Sequence, residues 1–249
     1  MYIDAHCHLD MLEKEGIDRV IDRAKKKNVK IVLTDGVNLK TNRKSLKLSE
    51  IYGEVKACLG IYPDEALKLS EDKIREEINI IRRNKEGVFG IGEVGLDFSG
   101  EKSEGDKRKQ RMVFQEFIEL SIELGVPITV HSRKAEEECI EMLEDSNAKK
   151  VVMHYFSGKL KLIDRIVENG WLLSVPTAVK NSEHFQNIIK KVDIKNLLCE
   201  TDSPYSHPDK KFPNEPSNVI ESYKQIAKIK NIDLKDCERK IQSNFEKIY

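Results

Sequence analysis

Short β-branched runs alternate with longer amphipathic stretches from one end of the chain to the other. Apolar segments at 2–8, 29–36, 54–60, 88–95, 127–131, 150–156, 170–176 and 196–202 read as eight strands bounded by turn residues. Helical periodicity fills 14–27, 40–52, 71–85, 107–125, 134–146, 159–169 and 182–191, and a helical tail covers 216–230 and 234–248. Between Gln110 and Leu124 the apolar stripe is Val113, Phe114, Phe117, Ile118, Ser121 and Leu124; Gly125 then stops the helix and Pro127 opens the next strand. No Gly/Ser/Pro-rich linker, repeat or low-complexity tract interrupts the series, so residues 1–249 are expected to form one domain. Eight βα units in a chain of this length predict a single (β/α)8 TIM barrel. A doubly wound open sheet alternates in the same way. However, Gly90-Ile91-Gly92-Glu93-Val94-Gly95 lacks the spacing of a dinucleotide loop and runs on into Leu96-Asp97 without opening a helix.

Composition narrows the partners more than it does the fold. Of 249 residues 39% are hydrophobic, enough for a sizeable core, and 35% are charged, with 43 basic balancing 43 acidic. A net charge of zero gives no bulk positive field, so any polyanionic substrate must be gripped locally. No basic leader followed by an apolar stretch and no long apolar run is apparent, which predicts a cytoplasmic protein that does not enter a membrane. The five cysteines (Cys7, Cys58, Cys139, Cys199, Cys237) show no CxxC spacing and cannot all pair, so buried reduced thiols are expected.

Candidate chemistry gathers at strand ends. His6 and His8 alternate on a strand and so share a face, flanked by Ile3, Ala5 and Leu9. Glu93 has the parity of Phe89 and Ile91 and points inward if they do, and Gly95 is expected to leave room beside the carboxylate. A carboxylate buried there needs a cation. His131 and His154 each close a strand, and Asp202 ends the last one, where it can bind a metal and accept a proton. Four of the six histidines therefore lie on what would be one rim, a placement that predicts a metal cluster. Glu200 shares the parity of Asp202 and either orients a ligand or plays a structural part.

The segments His6-Cys7-His8, Gly92-Glu93-Val94-Gly95-Leu96-Asp97, Pro127-Ile128-Thr129-Val130-His131-Ser132-Arg133, His154-Tyr155-Phe156-Ser157-Gly158, Glu200-Thr201-Asp202-Ser203-Pro204 and Asn214-Glu215-Pro216 resemble, in order, the motifs of the TatD family of metal-dependent deoxyribonucleases. The resemblance runs from the first strand to Asn244. It implies a TIM-barrel hydrolase of the amidohydrolase group that cleaves DNA phosphodiesters, as a 3′-5′ exonuclease, with water activated by two divalent metals. On that reading His6 and His8 bind the first metal, Glu93 bridges, His131 and His154 hold the second, and Asp202 completes the first site and acts as general base. One turn departs from the family pattern: Gly60-Ile61-Tyr62-Pro63 carries tyrosine where the family has histidine. That residue can still donate to a phosphate but is no cation near neutral pH.

Two divalent ions against the carboxylates of Glu93 and Asp202 leave a positive site, suited to an anionic phosphodiester. Its imidazoles favour zinc or another transition ion, whereas phosphodiester cleavage commonly runs on magnesium or manganese. DNA, single-stranded or at an exposed end, is the expected partner. Arg133 reaches a flanking phosphate or pairs with Glu136 or Glu137, and Tyr62, Tyr205 and His207 lie where bases can stack. The mixed-charge segment from Ser99 to Lys109 joins a nucleic-acid groove or is simply solvated. Rival functions are an esterase, lactonase or phosphotriesterase, an aminoacyl-tRNA ester hydrolase, and a non-catalytic metal-binding protein. Glu93 in place of a strand-four lysine weighs against the first set, and the presence of Asp202 weighs against the last.

Overall fold

The computed structural model describes residues 1–249. Eight parallel strands follow one another in chain order: β1 Tyr2–Cys7, β2 Val29–Asp35, β3 Val55–Leu59, β4 Gly90–Gly95, β5 Ile128–His131, β6 Val151–Met153, β7 Leu172–Pro176 and β8 Leu197–Glu200. The ladder runs from β1 round to β8. At the remaining seam Asp202 N–H donates to the His6 carbonyl (3.0 Å) and His8 N–H to the Ser203 carbonyl (2.7 Å), so the cylinder is nearly closed. All eight predicted strands form, each ending within a few residues of its expected end. Their sequences read as continuous apolar runs because helices cover the outer face.

The connecting helices are α1 Ile17–Lys26, α2 Leu39–Ile51, α3 Pro63–Leu67, α4 Glu71–Arg83, α5 Glu104–Leu124, α6 Glu136–Asp145, α7 Ile163–Glu168, α8 Glu183–Lys191, α9 Ile220–Lys230 and α10 Leu234–Ile248. Helix α5 starts three residues before its expected start because Ser103 and Asp106 form a capping box. Its inward stripe includes Leu120, while Leu124 is only half-buried. The short α3 escaped the sequence pattern: it is one turn opened by Pro63, too brief to show a period. Phe114, Phe117 and Trp171 are among the largest fully buried side chains of the core, and the Trp171 indole donates to the Ala148 carbonyl at 2.9 Å. Truncating such a ring to alanine costs about 3–5 kcal/mol. Beneath the strands Phe89, Phe245 and the C-terminal Tyr249 stack on one another and form an apolar floor.

Strand β4 corrects the parity expected for Glu93. Ile91 lies opposite Ile128 and Val94 opposite Val130, so three steps along β4 match two along β5, and the alternation breaks between them. Gly92, not Ile91, faces the axis: a Cβ there would come within 2.5 Å of the Asp35 carboxylate and 2.9 Å of Thr129. The bulge then turns Glu93 to the centre as well. Gly95 is required for a different reason from the one expected. It sits at φ +141°, and a Cβ would strike the His131 carbonyl at 1.9 Å, so it admits the neighbouring strand rather than a substrate.

All five cysteines are buried and unpaired, as expected. No helix is long and apolar enough to cross a membrane.

Candidate metal centre

The rim above the strand ends brings His6, His8, Glu93, His131, His154 and Asp202 together. Glu93 lies at the middle and divides its oxygens. Oε2 faces His8 Nε2 at 3.5 Å and His6 Nε2 at 3.9 Å, while Oε1 faces His131 Nδ1 at 2.8 Å and His154 Nε2 at 3.7 Å. Asp202 Oδ1 stands 3.8 Å from the Nε2 atoms of both His6 and His8, and 3.9 Å from that of His154. Three overlapping groups, His6–His8–Glu93, His6–His154–Asp202 and Glu93–His131–His154, each offer ligand atoms within 4.8 Å of one another. Ligands held about 2.1 Å from one ion at tetrahedral angles lie about 3.4 Å apart, so small inward movements complete the shells.

One atom tests whether an ion fits. His6 is wholly buried, and its Nε2 has no hydrogen-bond partner although it points at two carboxylate oxygens and stacks beside the His154 ring at 3.7 Å between centroids. An orphaned buried nitrogen is costly unless something accepts its lone pair. Burial, and then the charge of His154, push the His6 imidazolium down to about 3, so the ring is neutral and its electron pair free. The residues present therefore fit a divalent ion.

His8, His131 and His154 are hydrogen-bonded from behind, whereas His6 has a carboxylate oxygen close behind it but no hydrogen bond to it. His6 Nδ1 lies 3.1 Å from Asp35 Oδ2, His8 Nδ1 3.0 Å from the Asp35 carbonyl, and His154 Nδ1 2.8 Å from Glu200 Oε2. Glu200 also accepts the Tyr155 N–H at 3.1 Å, which settles its orienting part. His131 is backed by Asp97, whose Oδ2 lies 3.1 Å from Nε2 and accepts the Tyr62 hydroxyl at 2.9 Å. Asp35 and Asp97 were not singled out in the sequence, yet Asp35 obeys the same rule as the ligands, ending the apolar run Ile31-Val32-Leu33. Burial raises Asp35 to about 8. Burial also opposes ionisation of Glu93 and Glu200, but the neighbouring imidazoles hold both carboxyls below their ordinary value. Glu200 and Asp97 add two carboxylates to the pair, Glu93 and Asp202, on which the expected charge balance rests.

The backbone of the rim is unusual at the ligands. Asp202 adopts φ +54° and Tyr155 φ +43°, left-handed conformations that side chains larger than glycine seldom take. Asp202 is pinned there by its N–H bond to the His6 carbonyl and by the Ser206 hydroxyl, which donates to Oδ2 at 3.2 Å.

These residues floor a cleft of about 760 Å³ that Arg133, Tyr62, Tyr205 and Met11 also line. Arg133 pairs with neither expected acid; Glu136 instead accepts from Lys134 N–H and the Ser157 hydroxyl. Tyr62 lines the cleft, and its hydroxyl donates to Asp97 at 2.9 Å and lies 3.2 Å from His131 Nε2. His207 is not among the residues that line the cleft and accepts the Asp209 N–H at 3.0 Å. The segment from Ser99 to Lys109 is a capped helix start with local pairs, Lys102 with Asp64 and Lys107 with Glu104, and takes no part in the cleft.

The sequence matches the profile of TatD related DNases over residues 3–249. The chain belongs to the TatD family. It is 34% identical over 250 residues to an uncharacterized metal-dependent hydrolase of Methanocaldococcus jannaschii, covering 100% of this chain and 96% of the relative. It is 32% identical over 261 residues to the human deoxyribonuclease TATDN3, covering 99% and 94%. In fold it superposes on the TatD homolog YjjV of Escherichia coli with a TM-score of 0.91 at 23% identity, over 100% of this chain and 97% of the other. This TatD protein is thus a metal-dependent hydrolase, an enzyme acting on ester bonds, built on a TIM barrel with a His/Glu cluster able to bind metal.

Proposed function

We propose that this TatD-family enzyme is a deoxyribonuclease of the 3′-5′ exonuclease type, a single domain over residues 1–249 that trims single-stranded or exposed DNA ends. The observation that carries the two-ion reading is the division of Glu93 between two sets of imidazoles. His6, His8 and Asp202 would hold one divalent ion and His131 and His154 the other, with Glu93 contributing an oxygen to each. Magnesium or manganese serves in function, and zinc or another transition ion is a suitable occupant on isolation. Deoxyribonuclease activity in a relative of nearly the same length supports the substrate. Five unpaired buried thiols suit a cytoplasmic setting.

Bound divalent ions supply Lewis-acid polarisation of a phosphoryl oxygen and make water a stronger acid. Asp202 takes the proton of the attacking water. Burial pushes its carboxyl up, against the pull of His154, His6 and His8, which favours a group that can hold that proton. Ser206 and the bond to the His6 carbonyl keep the carboxylate aimed. Arg133, free of carboxylate partners, grips a phosphate beside the scissile one, and Tyr205 offers a ring to the adjoining base. Tyr62 acts indirectly, by holding Asp97 against His131.

The test is a metal series with single-stranded DNA labelled at either end, alongside a panel of carboxylic esters, lactones and aminoacyl esters. Progressive shortening from the 3′ end with magnesium or manganese is expected. Intact DNA under every ion, together with turnover in the ester panel, would replace this reading with an esterase.

A further inference from the structure

Half of the large apolar side chains that the molecule exposes are gathered at one side of the cleft. Of the six, Met11 (40% exposed), Tyr205 (50%) and Phe212 (72%) form a patch. The Tyr205 and Phe212 rings lie 6.4 Å apart between centroids with their planes tilted by 47°, and the Tyr205 hydroxyl reaches the Met11 sulfur at 3.7 Å. Exposed apolar groups scattered singly need no explanation, but a patch beside a catalytic cleft does.

The loop that presents these rings is fastened at several points. Asn214 N–H donates to the Pro204 carbonyl at 2.8 Å and its side-chain amide to the Thr201 carbonyl at 2.9 Å, so the segment is closed on itself. Thr177 bonds the Ser206 carbonyl at 2.7 Å, and Asn181 bonds the Pro208 carbonyl at 2.6 Å. A ring held by a closed loop loses little entropy when a ligand covers it. Phe212 is preceded by Lys210 and Lys211, both exposed, and this is the only Lys-Lys-aromatic run on the rim loops. Two cations next to an exposed aromatic ring match the alternation of phosphate and base along a single strand. The patch follows β8 and β1, whereas Arg133 follows β5, so the two features lie on different sides of the clustered imidazoles.

The geometry points to a strand-holding subsite outside the metal centre. One base of a single-stranded DNA stacks on Phe212, with Tyr205 and Met11 flanking it, while Lys210 and Lys211 neutralise the phosphates on either side of it. Arg133 holds the strand across the cleft. This inference rests on the proposed nuclease function and adds to it the surface along which the substrate enters or leaves. Phe212 makes no contact with the metal ligands and acts on the affinity for a strand, not on bond cleavage.

The experiment compares two substrates in the metal-loaded enzyme. A short single-stranded oligothymidylate can cover the patch; bis(p-nitrophenyl) phosphate reports the metal centre without it. In Phe212→Ala the ratio of kcat/KM on the oligonucleotide to that on the small diester is expected to fall roughly tenfold, mainly through KM, and Phe212→Trp to restore it. In the Lys210→Ala/Lys211→Ala double variant, log kcat/KM for the oligonucleotide should depend less steeply on log salt. An unchanged ratio in Phe212→Ala, or a ratio that Phe212→Trp leaves as low as alanine does, overturns the subsite. A wild-type enzyme that cleaves the small diester but not the oligonucleotide overturns the nuclease reading instead.

Discussion

The two halves of the centre hold the same kind of ligand in different ways. In the first half, His6 and His8 at the end of β1 are buried and lie against Asp35, whose side chain is wholly shielded from solvent. In the second, His154 is buried on Glu200, but His131 is 16% exposed and rests on Asp97 and the Tyr62 hydroxyl at the cleft wall. Fixed ring orientation favours tight binding of one ion. A ring that borders solvent and whose support includes a neutral phenol gives its ion more freedom to exchange. The difference teaches that the ligand list alone does not set affinity; the groups behind the imidazoles do.

Removing the residue common to both halves has the largest expected effect. Glu93→Ala should abolish turnover and strip both ions, checked by elemental analysis of the purified protein. Two ions retained per chain would mean that the halves are not joined through this carboxylate. Asp202→Asn should lower kcat by about 100- to 10,000-fold while keeping most of the metal, since it removes the proton acceptor and leaves the imidazoles. A fall in KM or metal content alone, with kcat intact, would assign the base elsewhere.

The groups behind the rings sharpen the contrast. Asp35→Asn should weaken the ion at His6 and His8 by about 10- to 100-fold, whereas Glu200→Gln and Asp97→Asn should weaken the ion at His131 and His154. Titration calorimetry with resolved sites decides this, and equal weakening of both ions by all three variants would erase the proposed asymmetry. Tyr62→Phe should have a smaller effect of the same kind as Asp97→Asn, because it removes one neutral donor from an anion that retains others, among them the Ser99 N–H and hydroxyl.

A pH series gives the smallest effect and separates the two states of the protein. Burial alone would lower His154 and His131, but Glu200 lifts the first to about 10, and Asp97 and Glu93 lift the second to about 9. Both folded values lie above the ordinary 6.5, so in the metal-free protein their contribution to stability is complete below that pH and is lost as pH rises through about 9–10. Metal uptake must displace these protons, so metal affinity should rise over the same interval. Thermal melts with and without metal should therefore diverge between pH 7 and 10. Parallel pH profiles would show that the imidazoles are not protonated before metal enters.

Much of this was legible from one rule, that an apolar run ending in a ligand-type residue is a barrel strand with its end at the rim. His6, His8, His131, His154 and Asp202 follow it, and so does Asp35, which was passed over because a carboxylate at a strand end does not declare whether it will face an ion or an imidazole. The inward turn of Glu93 does not follow from the parity of Phe89 and Ile91, since a bulge between Ile91 and Val94 is invisible in an alternating pattern. The parts of Tyr62 and Gly95 also depended on neighbours distant in sequence, Asp97 and His131.

Local chemistry by itself determined the strand and helix order and the placing of ligand-type side chains at strand ends, because backbone period and hydrophobic burial act over a few residues. Only the closed barrel decided which nitrogen of each ring looks inward, which acids stand behind, and that Glu93 divides between two sets of imidazoles. Those relations come from distances between side chains brought to one rim from different strands, and a linear chain carries no measure of them.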